Sequence, residues 1–169
     1  QLFELNREII EMGAMCEEAI ASVSKALAKG DVELAAKVKA GSGVIDQMER
    51  DIESRCMKLL LHQQPVARDL RLISAALKMI TDMERIGDQA EDIAEITTFL
   101  KGRSTEGVEL IEDMARETIK MVTESIDAFV RKDISLAEAV LSYDDVVDDY
   151  FERMKKHIIE LITRDPRDG

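Results

Sequence analysis

Apolar residues recur every three or four positions along nearly the whole chain, which is the period of helices that bury one face. Leu5, Ile9, Met12, Cys16, Ala19, Ile20, Val23 and Leu27 predict a first helix from Leu2 to about Lys29, stopped by Gly30. Asp31 is placed to cap a second helix that reaches about Leu61 along the apolar line Ile45, Met48, Ile52, Cys56 and Leu59. Its AGSG stretch, Ala40 to Gly43, is expected to kink or fray. HQQP follows, with Pro65 suited to the first turn of a third helix that ends near Leu100, at Lys101-Gly102. GRSTEG, Gly102 to Gly107, reads as the linker. A fourth helix is expected over Val108 to Lys132. A fifth, capped by Asp133, is expected to continue to about Thr163, with a stop or a new start at Asp165-Pro166.

The last two helices echo the first two. A shift of 102 residues lays AKGDVELAAKV (Ala28 to Val38) over VRKDISLAEAV (Val130 to Val140), so that Asp31 meets Asp133, Leu34 meets Leu136, and Val38 meets Val140. Duplication is the preferred reading. It gives two units, 1–101 and 108–169, and makes a sixth helix due after ITRDP. The expected architecture is therefore all-α: two tandem three-helix-bundle repeats, the second lacking its third helix in this sequence. Either further residues or another chain is expected to cover the apolar face left bare.

Composition supports long helices: 46% hydrophobic, 34% charged, two prolines, no tryptophan and nine methionines. The net charge of −12 argues against nucleic-acid binding and against electrostatic adhesion to anionic lipid, and favours cations or basic partners. Cys16 and Cys56 form no CxxC and read as small core residues in a reducing compartment. No apolar run approaches a membrane span, and no signal-peptide pattern is visible.

Candidate chemistry lies in MERIGDQAEDIAE, Met83 to Glu95. Glu84, Asp88, Asp92 and Glu95 fall on one stripe of the third helix, and like charges at that spacing repel unless a cation intervenes. Asp46, Glu49 and Glu53 form a second stripe beside the apolar line of the second helix and are placed to approach Glu84 and Asp88. Oxygen donors without His or Cys suit hard cations such as Mg²⁺, Ca²⁺ or Mn²⁺, while iron and zinc also bind carboxylate clusters. The plainer alternative is a solvated acidic face neutralised by Arg50 and Arg85.

Asp144, Asp145, Asp148, Asp149 and Glu152 read as a charged face beside the core line Val147, Tyr150, Phe151 and Met154. Asp148 becomes a metal-site candidate if a sixth helix faces it. His62 and His157 read as turn or surface residues outside any ExxH pattern, which argues against a ferritin-like oxidase. Arg68 and Arg71 read as solvated helix-end charges, the alternative being contact with an acidic partner or phosphate. Gly87, inside the third helix, marks close helix packing, or else a place where a metal or partner nears the backbone. No nucleophile–base pair and no glycine-rich phosphate loop is present, so catalysis has no evident machinery.

LLLHQQPVARDLRLISAALKMITDMERIGDQAEDIAEI, Leu59 to Ile96, closely resembles the signature of the PhoU family, and FELNREIIEMG and the late RDP are similar to it as well. The resemblance spans essentially the whole chain. It implies a cytoplasmic, often dimeric all-α protein of two similar bundles, associated with the membrane only through partners. It implies a negative regulator of the phosphate-starvation response that links a phosphate ABC transporter to a sensor histidine kinase. It also implies metal ions (Mg, Mn, Zn or Fe) held by (E/D)xxxD motifs. Here that motif is Glu84 and Asp88; Asp92 lies one turn on, where relatives often carry Asn. The expected function is thus non-enzymatic regulation. The alternatives are a metal-dependent carboxylate enzyme and a metal-free helical adaptor.

Overall fold

The computed structural model describes residues 2–62, 64–100 and 107–168. Its elements are α1 (Leu2–Lys29), α2 (Val32–His62), α3 (Ala67–Phe99), α4 (Val108–Arg131), α5 (Ile134–Arg164) and a closing 3₁₀ turn, Pro166–Asp168. The fold is all-α, and the described residues contain no strand. No helix among them is long and apolar enough to cross a membrane. Most of the expected linker, residues 102–106, and Gln63 of HQQP lie outside the described residues.

Both hairpins close in the same way. Gly30 and Lys132 take left-handed backbone, with φ of 64° and 56°. The next residue, Asp31 or Asp133, donates its N–H to the carbonyl of Ala26 or Ala128, at 2.9 Å in each case. Each aspartate then caps the following helix, accepting from the N–H of Leu34 or Leu136 at 3.0 Å. The 102-residue repeat is therefore a structural register as well as a sequence likeness.

Two expectations about boundaries fail. α2 runs unbroken through Ala40–Gly43, because Ala35 and Ile45 are buried on either side of the weak stretch and packing outweighs helix propensity. α3 begins only at Ala67, since Val66 is extended and Pro65 precedes it outside the helix.

α1, α2 and α3 form a closed bundle, each packed on the other two. Leu5, Ile9 and Met12 of α1 meet Ile45 and Ile52 of α2 and Ile73 and Ile80 of α3 in one buried cluster. A second cluster of smaller residues, including Val23, Ala26, Ala35, Ala90 and Ala94, continues the core toward the α1–α2 turn. Cys16 and Cys56 are buried thiols, as expected.

α4 packs on α1, and its Ile126 joins the first bundle's own core cluster. Thr123 Oγ1 adds a 2.6 Å hydrogen bond to Glu17 Oε1 across the same contact. Among the described elements, α5 packs only on α4 and the closing turn. One face of α5 is consequently bare, with Ile134, Leu141, Ile159 and Phe151 more than half exposed. Phe151, expected in the core line, is solvent-facing at 54%, while Val147, Tyr150 and Met154 are half-buried.

Candidate metal centre

α2 and α3 pack tightly where α3 has no side chain. A β-carbon on Gly87 would stand 3.1 Å from Ile45 Cδ1 and 3.2 Å from its Cγ2. The residues that follow these two in the chain are Asp88 and Asp46. The close approach therefore aims a carboxylate from each helix into the same space. Carboxylate oxygens of Asp46, Glu84 and Asp88 all lie within 4.8 Å of one another. Asp46 and Glu84 are half-buried and Asp88 is exposed, so the group is open on one side.

The electrostatics match the crowding. Glu84 is pushed up to about 7, first by its hydrogen bond with Asp88, then by burial, then by the charges of Asp88, Glu49 and Asp46. Glu49 is held above the usual carboxylate range by burial, and further by Glu53 and Asp46. Asp46 Oδ1 is buried with no hydrogen-bond partner among the described residues. A buried acceptor without a donor is costly, and a cation would satisfy it.

The arginines expected to neutralise this face form no ion pair with the three converging carboxylates, although the charge of Arg50 partly offsets the upward push on Glu49. Arg85 pairs with Asp82 at 3.6 Å on the outer surface, and Arg50 donates to Gln47 Oε1 at 2.9 Å. The donor set suits a hard cation: three carboxylates from two helices, no soft ligand, and room for solvent to complete the sphere.

The other sequence candidates fall at varying distances from this centre. Glu49 is close enough for its charge to act on Glu84. Asp92, one turn beyond Asp88, is exposed and outside the converging group, as is Glu95. Asp148 is exposed on α5, which touches neither α2 nor α3. Asp144, Asp145, Asp149 and Glu152 are likewise exposed, the charged face that was expected.

His62 is exposed at the end of α2. His157 departs from the surface role expected of it. It packs against Gly107, where a β-carbon would stand 2.8 Å from its Cδ2, and its Nε2 is buried without a partner among the described residues. Arg68 and Arg71 are exposed and, with Lys132, line an apolar groove beside α4 and α5.

Comparison with known proteins gives a consistent result. The sequence model of the PhoU domain matches residues 9–97 and 111–169. The chain is 36% identical over 168 residues to the phosphate-specific transport system accessory protein PhoU homolog of Aquifex aeolicus, covering 99% of this chain and 76% of that protein. It is 31% identical over 170 residues to the phosphate-specific transport system accessory protein PhoU of Escherichia coli, covering 99% of this chain and 70% of that one. The crystal structure of PhoU from Pseudomonas aeruginosa superposes with a TM-score of 0.90 at 34% identity, over 98% of this chain and 80% of that one. The phosphate transport system regulatory protein PhoU from Streptococcus pneumoniae superposes with a TM-score of 0.87 at 27% identity, over 97% and 78% of the two chains.

Proposed function

The chain belongs to the PhoU domain family, and on that premise we propose that it is a non-enzymatic negative regulator of phosphate uptake and of the phosphate-starvation response. It links a phosphate ABC transporter to a sensor histidine kinase at the cytoplasmic face of the membrane, as a homodimer attached through its partners. The observation that carries this reading is the match of nearly the whole chain to proteins named as accessory to a phosphate-specific transport system.

In the same reading Asp46, Glu84 and Asp88 hold a di- or trivalent metal cation (Mg, Mn, Zn or Fe), with Glu49 beside them. Support comes from the convergence of the three carboxylates and from the unpartnered Asp46 Oδ1. The bound charge relieves the repulsion among the carboxylates and ties α2 to α3 next to the Gly87–Ile45 contact.

The test is cellular. Deleting the gene should switch on phosphate-starvation genes in high phosphate, and expression that stays repressed rejects the regulatory role.

A further inference from the structure

Because the two hairpins share one register, each residue along the α1–α2 contact has a counterpart on α4–α5. The counterpart of Gly41 is Tyr143. In the second repeat Tyr143 reaches from α5 to α4. Its hydroxyl donates to Glu117 Oε2, and Lys120 Nζ stands 4.3 Å from the centre of its ring. Glu117 and Lys120 are themselves the counterparts of Met15 and Glu18.

In the first repeat the ring is missing. A β-carbon on Gly41 would meet nothing within 4 Å. A cavity of about 190 Å³ opens there between α1 and α2, with Met15, Glu18, Ser22, Lys37, Gly41 and Ile45 in its lining. One scaffold thus carries an aromatic side chain in one copy and leaves room for one in the other.

We propose that the cavity beside Gly41 is a seat for a single aromatic side chain presented by a partner protein. The size fits. Sites for cofactor-sized molecules run to roughly 300–1,000 Å³, whereas an apolar cavity of about 150 Å³ takes up benzene. The lining fits as well: the Met15 thioether from α1 suits a ring edge, and the Lys37 ammonium from α2 suits a ring face. Aromatic side chains seated in such pockets are the anchors that dominate many protein interfaces. Glu18 in the lining and a net charge of −12 favour basic residues beside the ring.

The experiment titrates the full chain by amide NMR with acetyl-Lys-Tyr-Lys-amide, acetyl-Lys-Ala-Lys-amide and p-cresol. The tyrosine peptide should give saturable shifts confined to the α1–α2 residues around the cavity, and the alanine peptide should bind at least about tenfold more weakly. Gly41→Tyr should fill the seat as Tyr143 does, abolish that binding and raise the melting temperature; Gly41→Leu serves as a second plug if the tyrosine variant does not fold. The proposal is overturned by any of four results: no saturable shift, equal binding of the two peptides, binding that survives in a folded plugged variant, or binding of p-cresol alone, which would make this a site for free small aromatics.

Discussion

Ile126 of α4 lies directly over Gly13 of α1: a β-carbon on the glycine would collide with Ile126 Cδ1 and stand 3.3 Å from its Cγ1. This isoleucine is 6% exposed and belongs to the core of the first bundle, although it comes from the second repeat. Ile126→Ala should therefore destabilise the protein by about 2–5 kcal/mol, the range for truncating a buried aliphatic side chain. Gly13→Ala should cost up to about 2 kcal/mol, an overpacking loss of about 1–3 kcal/mol less about 1 kcal/mol of helix propensity. Urea unfolding measures both. A loss of less than about 0.5 kcal/mol for Ile126→Ala, the scale of a surface change, would mean that the two repeats do not share this core.

The ligand assignment separates residues that share a stripe. Asp88→Ala and Asp46→Ala should remove the heat of Mg²⁺ or Mn²⁺ binding in calorimetric titration, because each leaves two of the three converging carboxylates. Asp92→Ala and Asp148→Ala should leave it intact, since both side chains stand outside that group. A parent protein that gives no heat with magnesium, manganese, zinc or iron would sink the metal reading and leave the metal-free adaptor.

Glu84 makes the cation-free protein sensitive to pH. Its folded value of about 7 lies above its ordinary value of 4.5. Between those two pH values an unfolded chain ionises this carboxyl while the folded chain keeps it protonated. Stability from this group is accordingly full below about pH 4.5, falls as pH rises toward 7, and is flat above that. Urea unfolding at a series of pH values, with chelator present, should show that decline. It should be shallower in Glu84→Gln and in high salt, since the group is only half-buried. An unchanged slope in Glu84→Gln would assign the effect elsewhere.

Gly87→Ala sets two effects against each other. Alanine gains about 1 kcal/mol of helix propensity over glycine, but its methyl must push on Ile45 at both Cδ1 and the stiffer Cγ2. The expected net result is a loss of about 1 kcal/mol. A weaker cation affinity should accompany it, since Asp46 and Asp88 ride on the two residues forced apart. Gly87→Ala with Ile45→Val should recover part of the affinity in the same titration; a double variant no better than the single one would break the link between packing and the centre.

Much of this was legible before any coordinates. The three-and-four spacing of Leu5, Ile9, Met12 and Cys16 marks α1, and the cap aspartates Asp31 and Asp133 mark both hairpins, because these signals are local. The pairing of Asp46 with Glu84 and Asp88 was also foreseeable, since each carboxylate flanks an apolar line that must face the core. What failed depends on tertiary context. Phe151 has a core-like position on its own helix, but among the other helices described α5 packs on α4 alone, so the ring meets solvent. The stripe from Glu84 to Glu95 is continuous on α3, but only its first two carboxylates come opposite Asp46 on α2. His157 is polar and late in the chain, and nothing in its sequence neighbourhood announces that Gly107 will fold over it. The Gly41 cavity did have a signal in the repeat, a glycine aligned with a tyrosine, but its meaning needed the ring contacts of Tyr143.

The unbroken course of α2 ties residue count to geometry. Between the turn at Gly30 and the carboxylate of Asp46 no loop can absorb an insertion or deletion. One residue added or lost there would swing Asp46 by about 100° around the rod and shift it along the axis by about 1.5 Å. That stretch of chain can exchange side chains freely on its wet side, but its length is a whole number that drift cannot alter without turning the oxygen away from its partners.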